Sequence, residues 1–134
     1  MMTREEIYEK VTDVLVQALG VGRAEITPGA SLVGDLEAES IDFLDIIFRL
    51  EKTFGIEIAR GELFPQEILR DPQLVAGGKL TEAGVRALRE RLHFTDLSHL
   101  AAGQDVEELM TDLLTVQTVV DYVQSKLQVS SATV

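Results

Sequence analysis

Asp35-Leu36-Glu37-Ala38-Glu39-Ser40-Ile41-Asp42 leads straight into Phe43-Leu44-Asp45-Ile46-Ile47-Phe48-Arg49-Leu50-Glu51-Lys52-Thr53-Phe54-Gly55, an acidic approach followed by a helical pattern. Ile41, Leu44, Ile47 with Phe48, and Phe54 predict the apolar face of a long helix, with Asp42, Asp45, Arg49 and Lys52 outside and Gly55 at its end. Ser40 stands where that helix begins. A serine there is ordinarily an N-cap, its hydroxyl accepting from a free backbone N–H of the first turn. The surrounding charge points elsewhere. Asp35, Glu37, Glu39, Asp42 and Asp45 crowd the helix start, favouring its dipole but repelling a diffusing phosphate. A site that binds phosphate reversibly offers glycines and a lysine instead. This stretch suits a phosphate that is covalently attached. Residues 35–57 hold seven acids and two bases, denser than a mixed surface.

Upstream, Ile7, Val11, Val14 and Ala18 recur at helical spacing, widened by Leu15 and Leu19, and Thr3 with Glu6 forms a capping pattern. Gly20 and Gly22 end this first helix. Residues 23–36 contain Pro28, Gly29 and Gly34, predicting a long loop anchored by Ile26, Leu32, Val33 and Leu36. Downstream, Val116, Val119 with Val120, Val123 and Leu127 predict a last helix started by Thr115, with a frayed tail from Val129 to Val134.

Residues 59–114 are less regular. Leu63, Phe64, Ile68 and Leu69 predict one apolar cluster, and Thr81 caps a helix carrying Val85, Leu88 and Leu92. Asp105 to Leu114 reads as a further short helix with Val106, Leu109, Met110 and Leu113 apolar, while Asp71-Pro72 and Gly77-Gly78 read as breaks. Lys79, Arg86, Arg89 and Arg91 gather basic charge, which suits a solvated helix face or a contact to the acidic helix.

The 134 residues, 46% hydrophobic and 5% aromatic, suit one compact domain with a modest core. The absence of cysteine excludes disulfides, thiolate metal sites and a cysteine nucleophile, so any thiol chemistry comes from an added group. A formal charge of −11 argues against nucleic acid and anionic membranes and favours partners with basic patches. No apolar run is long enough to span a bilayer, and the acidic start differs from a secretory signal, so a cytoplasmic protein is expected. His93 and His99 lack metal-ligand spacing, and no nucleophile, base and oxyanion arrangement emerges, so neither a metal site nor an enzyme is expected.

Glu39-Ser40-Ile41-Asp42, the helix to Lys52 and Thr53-Phe54-Gly55-Ile56-Glu57-Ile58 resemble the acyl carrier protein family, whose motif is Asp-Ser-Leu before an acidic, apolar helix ending in Phe-Gly-Ile. The resemblance extends through Leu19-Gly20-Val21, Ile26-Thr27-Pro28 and Ser31-Leu32-Val33-Gly34-Asp35-Leu36, then resumes at Thr115-Val116 and Val119-Val120-Asp121-Tyr122-Val123. It covers residues 3–58 and 115–127. It implies an all-α, four-helix bundle forming a single domain over residues 1–134, with 59–114 as an extended helical insertion where the family has a much shorter connection. It also implies that a phosphopantetheinyl transferase places 4′-phosphopantetheine on Ser40, whose thiol then carries acyl groups for fatty acid, lipid or polyketide-type biosynthesis. Acyl-transferring and condensing enzymes with basic patches are the implied partners of a monomer, docking on Asp35, Glu37, Glu39, Ile41, Asp42 and Asp45. Glu39 replaces the family's usual aspartate and Glu37 a common glycine. The run Asp42 to Phe48 and the long middle also resemble specialised carriers of long or unusual acyl chains. Leu80-Thr81-Glu82-Ala83-Gly84 resembles a piece of winged-helix regulators, but no recognition helix accompanies it. Phe43, Leu44, Ile47, Phe48 and Phe54 are candidates to line a shelter for acyl cargo, or plain core residues. Two other readings of the residues stay open: an unmodified interaction module in which Ser40 only caps, and a peptidyl or aminoacyl carrier.

Overall fold

The computed structural model describes residues 2–132 except 60, 61, 65, 96 and 99, with the side chains of residues 40, 66, 67 and 128–132 also outside the description. His99 lies outside the described residues. Helix α1 spans Arg4–Leu19, α2 Ser40–Phe54, α3 Gln66–Arg70, α4 Glu82–Arg91, α5 Val106–Leu113 and α6 Val116–Ala132. Two-residue strands β1, Val75–Ala76, and β2, Lys79–Leu80, form an antiparallel hairpin between α3 and α4. Among the described residues the fold is all-α apart from this hairpin and two isolated bridges; the pattern gave the hairpin only as a break, because strands this short carry no readable alternation, and Gly77 and Gly78 turn it with positive φ.

Local chemistry sets the helix ends. The Thr3 hydroxyl accepts from the Glu6 N–H, and Gly20 closes α1 in the left-handed conformation at φ 67°. Gly55 does the same for α2 at φ 66°. Thr81 caps α4 through the Gly84 N–H, and Asp105 caps α5 through the Glu107 and Glu108 N–H groups. The last helix continues to Ala132, beyond the Val129 where fraying was expected, while residues 133 and 134 lie outside the description.

α1 packs against α2 and α6 around a core that includes Ile7, Leu15, Ile46, Leu50, Val119 and Val123. A second core of Ile68, Leu80, Val85, Leu88, Leu92, Leu97, Leu100, Leu109 and Leu113 lies wholly within the middle segment. The predicted single cluster Leu63, Phe64, Ile68 and Leu69 is therefore divided, because Leu63 and Phe64 join the bundle core while Ile68 and Leu69 join the second. Helix α5 serves both, presenting Met110 to the bundle and Leu109 and Leu113 to the second core.

The expected inner face of α2 is corrected. Phe43, Ile46, Leu50 and Phe54 are buried, whereas Ile41, Leu44 and Phe48 are 73%, 70% and 55% exposed. The helix is apolar on both sides, and periodicity alone does not say which side meets the core.

Candidate functional site

The loop before α2 is fixed to the start of α6. Leu32 N–H donates to the Leu114 carbonyl at 2.8 Å, Val116 N–H to Ala30 at 3.0 Å and Gln117 N–H to Pro28 at 2.9 Å. Within the loop, Asp35 accepts from the Ser31 N–H at 2.8 Å and the Ser31 hydroxyl accepts from Gly34 at 3.0 Å. Ile26, Leu32 and Leu36 are buried as anchors, and Val33 is partly buried. The approach to Ser40 is thus held by backbone bonds and apolar contacts.

Glu37 has φ 57°, in the left-handed region that glycine enters without steric penalty. The glutamate retains that backbone turn at a cost of roughly 1–2 kcal/mol. Two residues on, extended Glu39 is the cap residue, and its carbonyl accepts from the Phe43 N–H. The Asp42 carboxylate reaches back to accept from the Glu39 N–H at 2.8 Å. Ser40 is the first residue inside α2. The cap position is therefore one residue before the expected one, at Glu39, with the Asp42 carboxylate closing back on it.

The acids differ in their commitments. Asp35 holds the loop, Asp42 the helix start, and Asp45 accepts from Arg49 at 3.0 Å one turn on. The Glu37 side chain has no hydrogen bond or ion pair among the described residues. Beside these acids lies the exposed stripe Ile41, Leu44 and Phe48, with the Lys52 ammonium 4.5 Å from the centre of the Phe48 ring. Of the residues considered for sheltering cargo, Phe43 and Phe54 are core, Ile47 is partly buried, and Leu44 and Phe48 face outward.

An open cleft of about 490 Å³ adjoins the start of α2, bounded by Ala38, Glu39 and Phe43 and by Leu69 and Arg70 from the middle segment. Nothing in the sequence pattern marked Leu69 or Arg70 as sharing a cleft with Ala38 and Glu39. Among the other basic residues, Arg89 donates to the Leu100 carbonyl at 3.1 Å, within the middle segment. No group of three or more potential metal-ligating side chains occurs among the described residues, and no helix there is long and apolar enough to cross a membrane.

The family described as "Phosphopantetheine attachment site" matches residues 9–69. The acyl carrier protein of Rubrobacter xylanophilus is 47% identical over 57 residues, covering 42% of this chain and 70% of that protein. The acyl carrier protein of Petrotoga mobilis is 34% identical over 95 residues, 71% of this chain and 98% of its own length. Acyl carrier protein AcpXL of Rhizobium etli is 41% identical over 61 residues, 46% of this chain and 65% of that protein. With an acidic α2 packed against α1, and with 98% of the length of the Petrotoga mobilis protein aligned to it at 34% identity, the chain belongs to the acyl carrier protein family.

Proposed function

We propose that Ser40 is the residue through which this acyl carrier bears its 4′-phosphopantetheine. The supporting observation is that Ser40 is the first residue of α2, one position past the cap Glu39 and at the end of the acidic approach. The surroundings fit a phosphodiester: the positive dipole end of α2 stabilises its charge. The open cleft beside it leaves room for an attached arm. In the modification, the Ser40 oxygen attacks the β-phosphorus of coenzyme A. The bond to 3′,5′-adenosine bisphosphate breaks, and the hydroxyl proton passes to a base on the transferase. Once bound, the group supplies a thiol that holds acyl groups as activated thioesters, and Ser40 is substrate rather than catalyst.

The docking face centres on Glu37 and Glu39 with the apolar stripe Ile41, Leu44 and Phe48. Exposed apolar side chains flanked by acids suit enzymes with basic rims and an apolar centre, where charge speeds encounter without tight binding. Asp35, Asp42 and Asp45 add charge while holding local structure, so reversing Asp42 would also weaken the helix start. Leu44→Asp tests the stripe directly. It is expected to slow modification by a transferase while helicity is retained, and an unchanged rate would remove the stripe from the interface.

The attachment test is incubation with coenzyme A, Mg²⁺ and a broad-specificity transferase, followed by intact mass spectrometry. A gain of one phosphopantetheine in the natural chain and none in Ser40→Ala is expected. A gain that persists in Ser40→Ala refutes the assignment, and no gain from folded protein across several transferases favours an unmodified interaction module.

A further inference from the structure

This acidic chain holds a stretch of opposite sign. Residues 79–93 carry four bases and two acids, whereas the rest of the chain carries eight bases and twenty-one acids. With α2 as a docking face, a reading on which this inference rests, we infer that the outer side of α4 and its hairpin, marked by Lys79, Arg86 and Arg89, is a second one. Its partner is an enzyme that bears an acidic patch for this face and a basic patch for α2.

The face is firmly mounted. Val85, Leu88 and Leu92 turn the other side of α4 into the second core, and Leu80 is buried beside exposed Lys79. Arg86 and Arg89, three positions apart, are neighbours on the helix surface. Arg89 donates to the Leu100 carbonyl at 3.1 Å, which fixes its guanidinium on an exposed side chain. The exposed Lys79 and Arg86 side chains have no hydrogen bond or ion pair among the described residues, although Arg86 stands one turn from both Glu82 and Glu90. No ion pair among the described residues joins Lys79, Arg86 or Arg89 to α2, so the acidic helix does not neutralise this charge from within. Arg91 instead lines a polar cleft with Glu62 and Asp71.

The chemistry of the face selects a protein. The exposed large apolar side chains among the described residues are Ile41, Leu44 and Phe48, all on α2, so α4 offers a bilayer nothing to insert. Glu82 and Glu90 interleave with the arginines and repel a uniformly anionic lipid or phosphate surface, but they suit a protein whose own charges alternate. A partner acidic throughout is repelled by α2. One with both signs is attracted at both faces, and a carrier without the segment leaves its acidic patch unpaired.

The experiment titrates the ¹⁵N-labelled full chain with short peptides of polyglutamate, of polylysine, and of both blocks joined through Gly-Ser linkers of several lengths. Salt is held at about 0.15 M, where screening over about 8 Å leaves local charge dominant. Polyglutamate should shift amides over residues 79–93, and the exposed changes Lys79→Gln with Arg86→Gln should weaken its binding about three-fold. The best joined peptide should bind about ten-fold more tightly than either block. No shift over residues 79–93, an unchanged affinity in the folded double variant, or larger shifts of the same amides by phosphatidylglycerol vesicles overturns the basic docking face. Joined peptides no tighter than polylysine overturn the partner of two signs. Polylysine without effect over residues 35–57 overturns the reading of α2, and the partner of two signs with it.

Discussion

The bundle and the middle segment each bury leucines completely, yet they gather them differently. The bundle core unites Ile7 near one end of the chain with Val123 near the other, whereas the second core is drawn entirely from residues 68–113. One depends on distant parts of the chain meeting; the other closes on itself. Specific contacts join the two regions. Phe43 meets Phe64 at 4.6 Å between ring centres, Phe94 meets Tyr122 edge-on at 5.1 Å, and Thr95 donates to Asp121 at 3.0 Å. Glu62 accepts from both the Tyr122 hydroxyl and the Lys126 ammonium, the latter at 3.0 Å. The middle segment thus carries a core of its own while Leu63, Phe64 and Met110 join it to the bundle.

Core truncation should separate the two regions most strongly. Leu50→Ala and Leu88→Ala each remove a fully buried side chain and should cost about 2–5 kcal/mol. Hydrogen exchange is expected to quicken throughout the chain in Leu50→Ala but chiefly over residues 66–113 in Leu88→Ala. Equal quickening in α1 and α6 from both would show the cores to be one cooperative unit.

Gly84→Ala should act next, and locally. A β-carbon there would stand 2.3 Å from the Leu74 carbonyl oxygen, which also accepts from the Thr81 N–H at the base of the hairpin. A loss of about 1–3 kcal/mol is expected, seen in urea unfolding with the loss of protection centred on the hairpin and α4. An unchanged midpoint would mean that this close approach is readily relieved.

The smallest effect lies in the seam's response to pH. Burial works against charge on Glu62, but hydrogen bonds from Tyr122 and Lys126 outweigh it and hold the carboxyl below its usual value of 4.5. Its contribution is complete above that value and is lost as pH falls through the lower folded value. Burial, then the bond to Glu62, pushes the Tyr122 hydroxyl well above its usual value of 10.0, so its contribution is complete below pH 10 and is lost as pH rises beyond it. Unfolding free energy should therefore fall on both sides of a plateau. Glu62→Gln is expected to flatten the acid limb and Tyr122→Phe the alkaline one; limbs that keep their slopes would place the linkage elsewhere.

Helices with a single apolar stripe were legible in the sequence, and so were caps made by side chains. Thr3, Thr81 and the glycines at positions 20 and 55 stand where their chemistry predicts. α2 was half legible: its extent followed from its ends, but eight apolar residues on two sides left its orientation to the packing of α1. The cap of α2 was missed by one residue because the chain enters the helix at Glu39, whose N–H donates to the Asp42 carboxylate. Ser40, the proposed attachment residue, was singled out by its acidic setting. The cleft beside it was not, since Leu69 and Arg70 reach α2 through tertiary packing, which no local spacing encodes.

The reach between the chain's two ends also bears on how fast the protein folds. Arg4 pairs with Asp121 across 117 positions, so α1 and α6 meet only by closing nearly the whole chain. The entropy of such closure grows with the logarithm of loop length, and contacts this distant slow folding. A middle segment that collapses early on its own leucines shortens the effective loop before the terminal helices search for each other. Stopped-flow refolding slowed by Leu88→Ala would reveal that service, and an unchanged refolding rate with faster unfolding would show that the segment forms only after the helices have met.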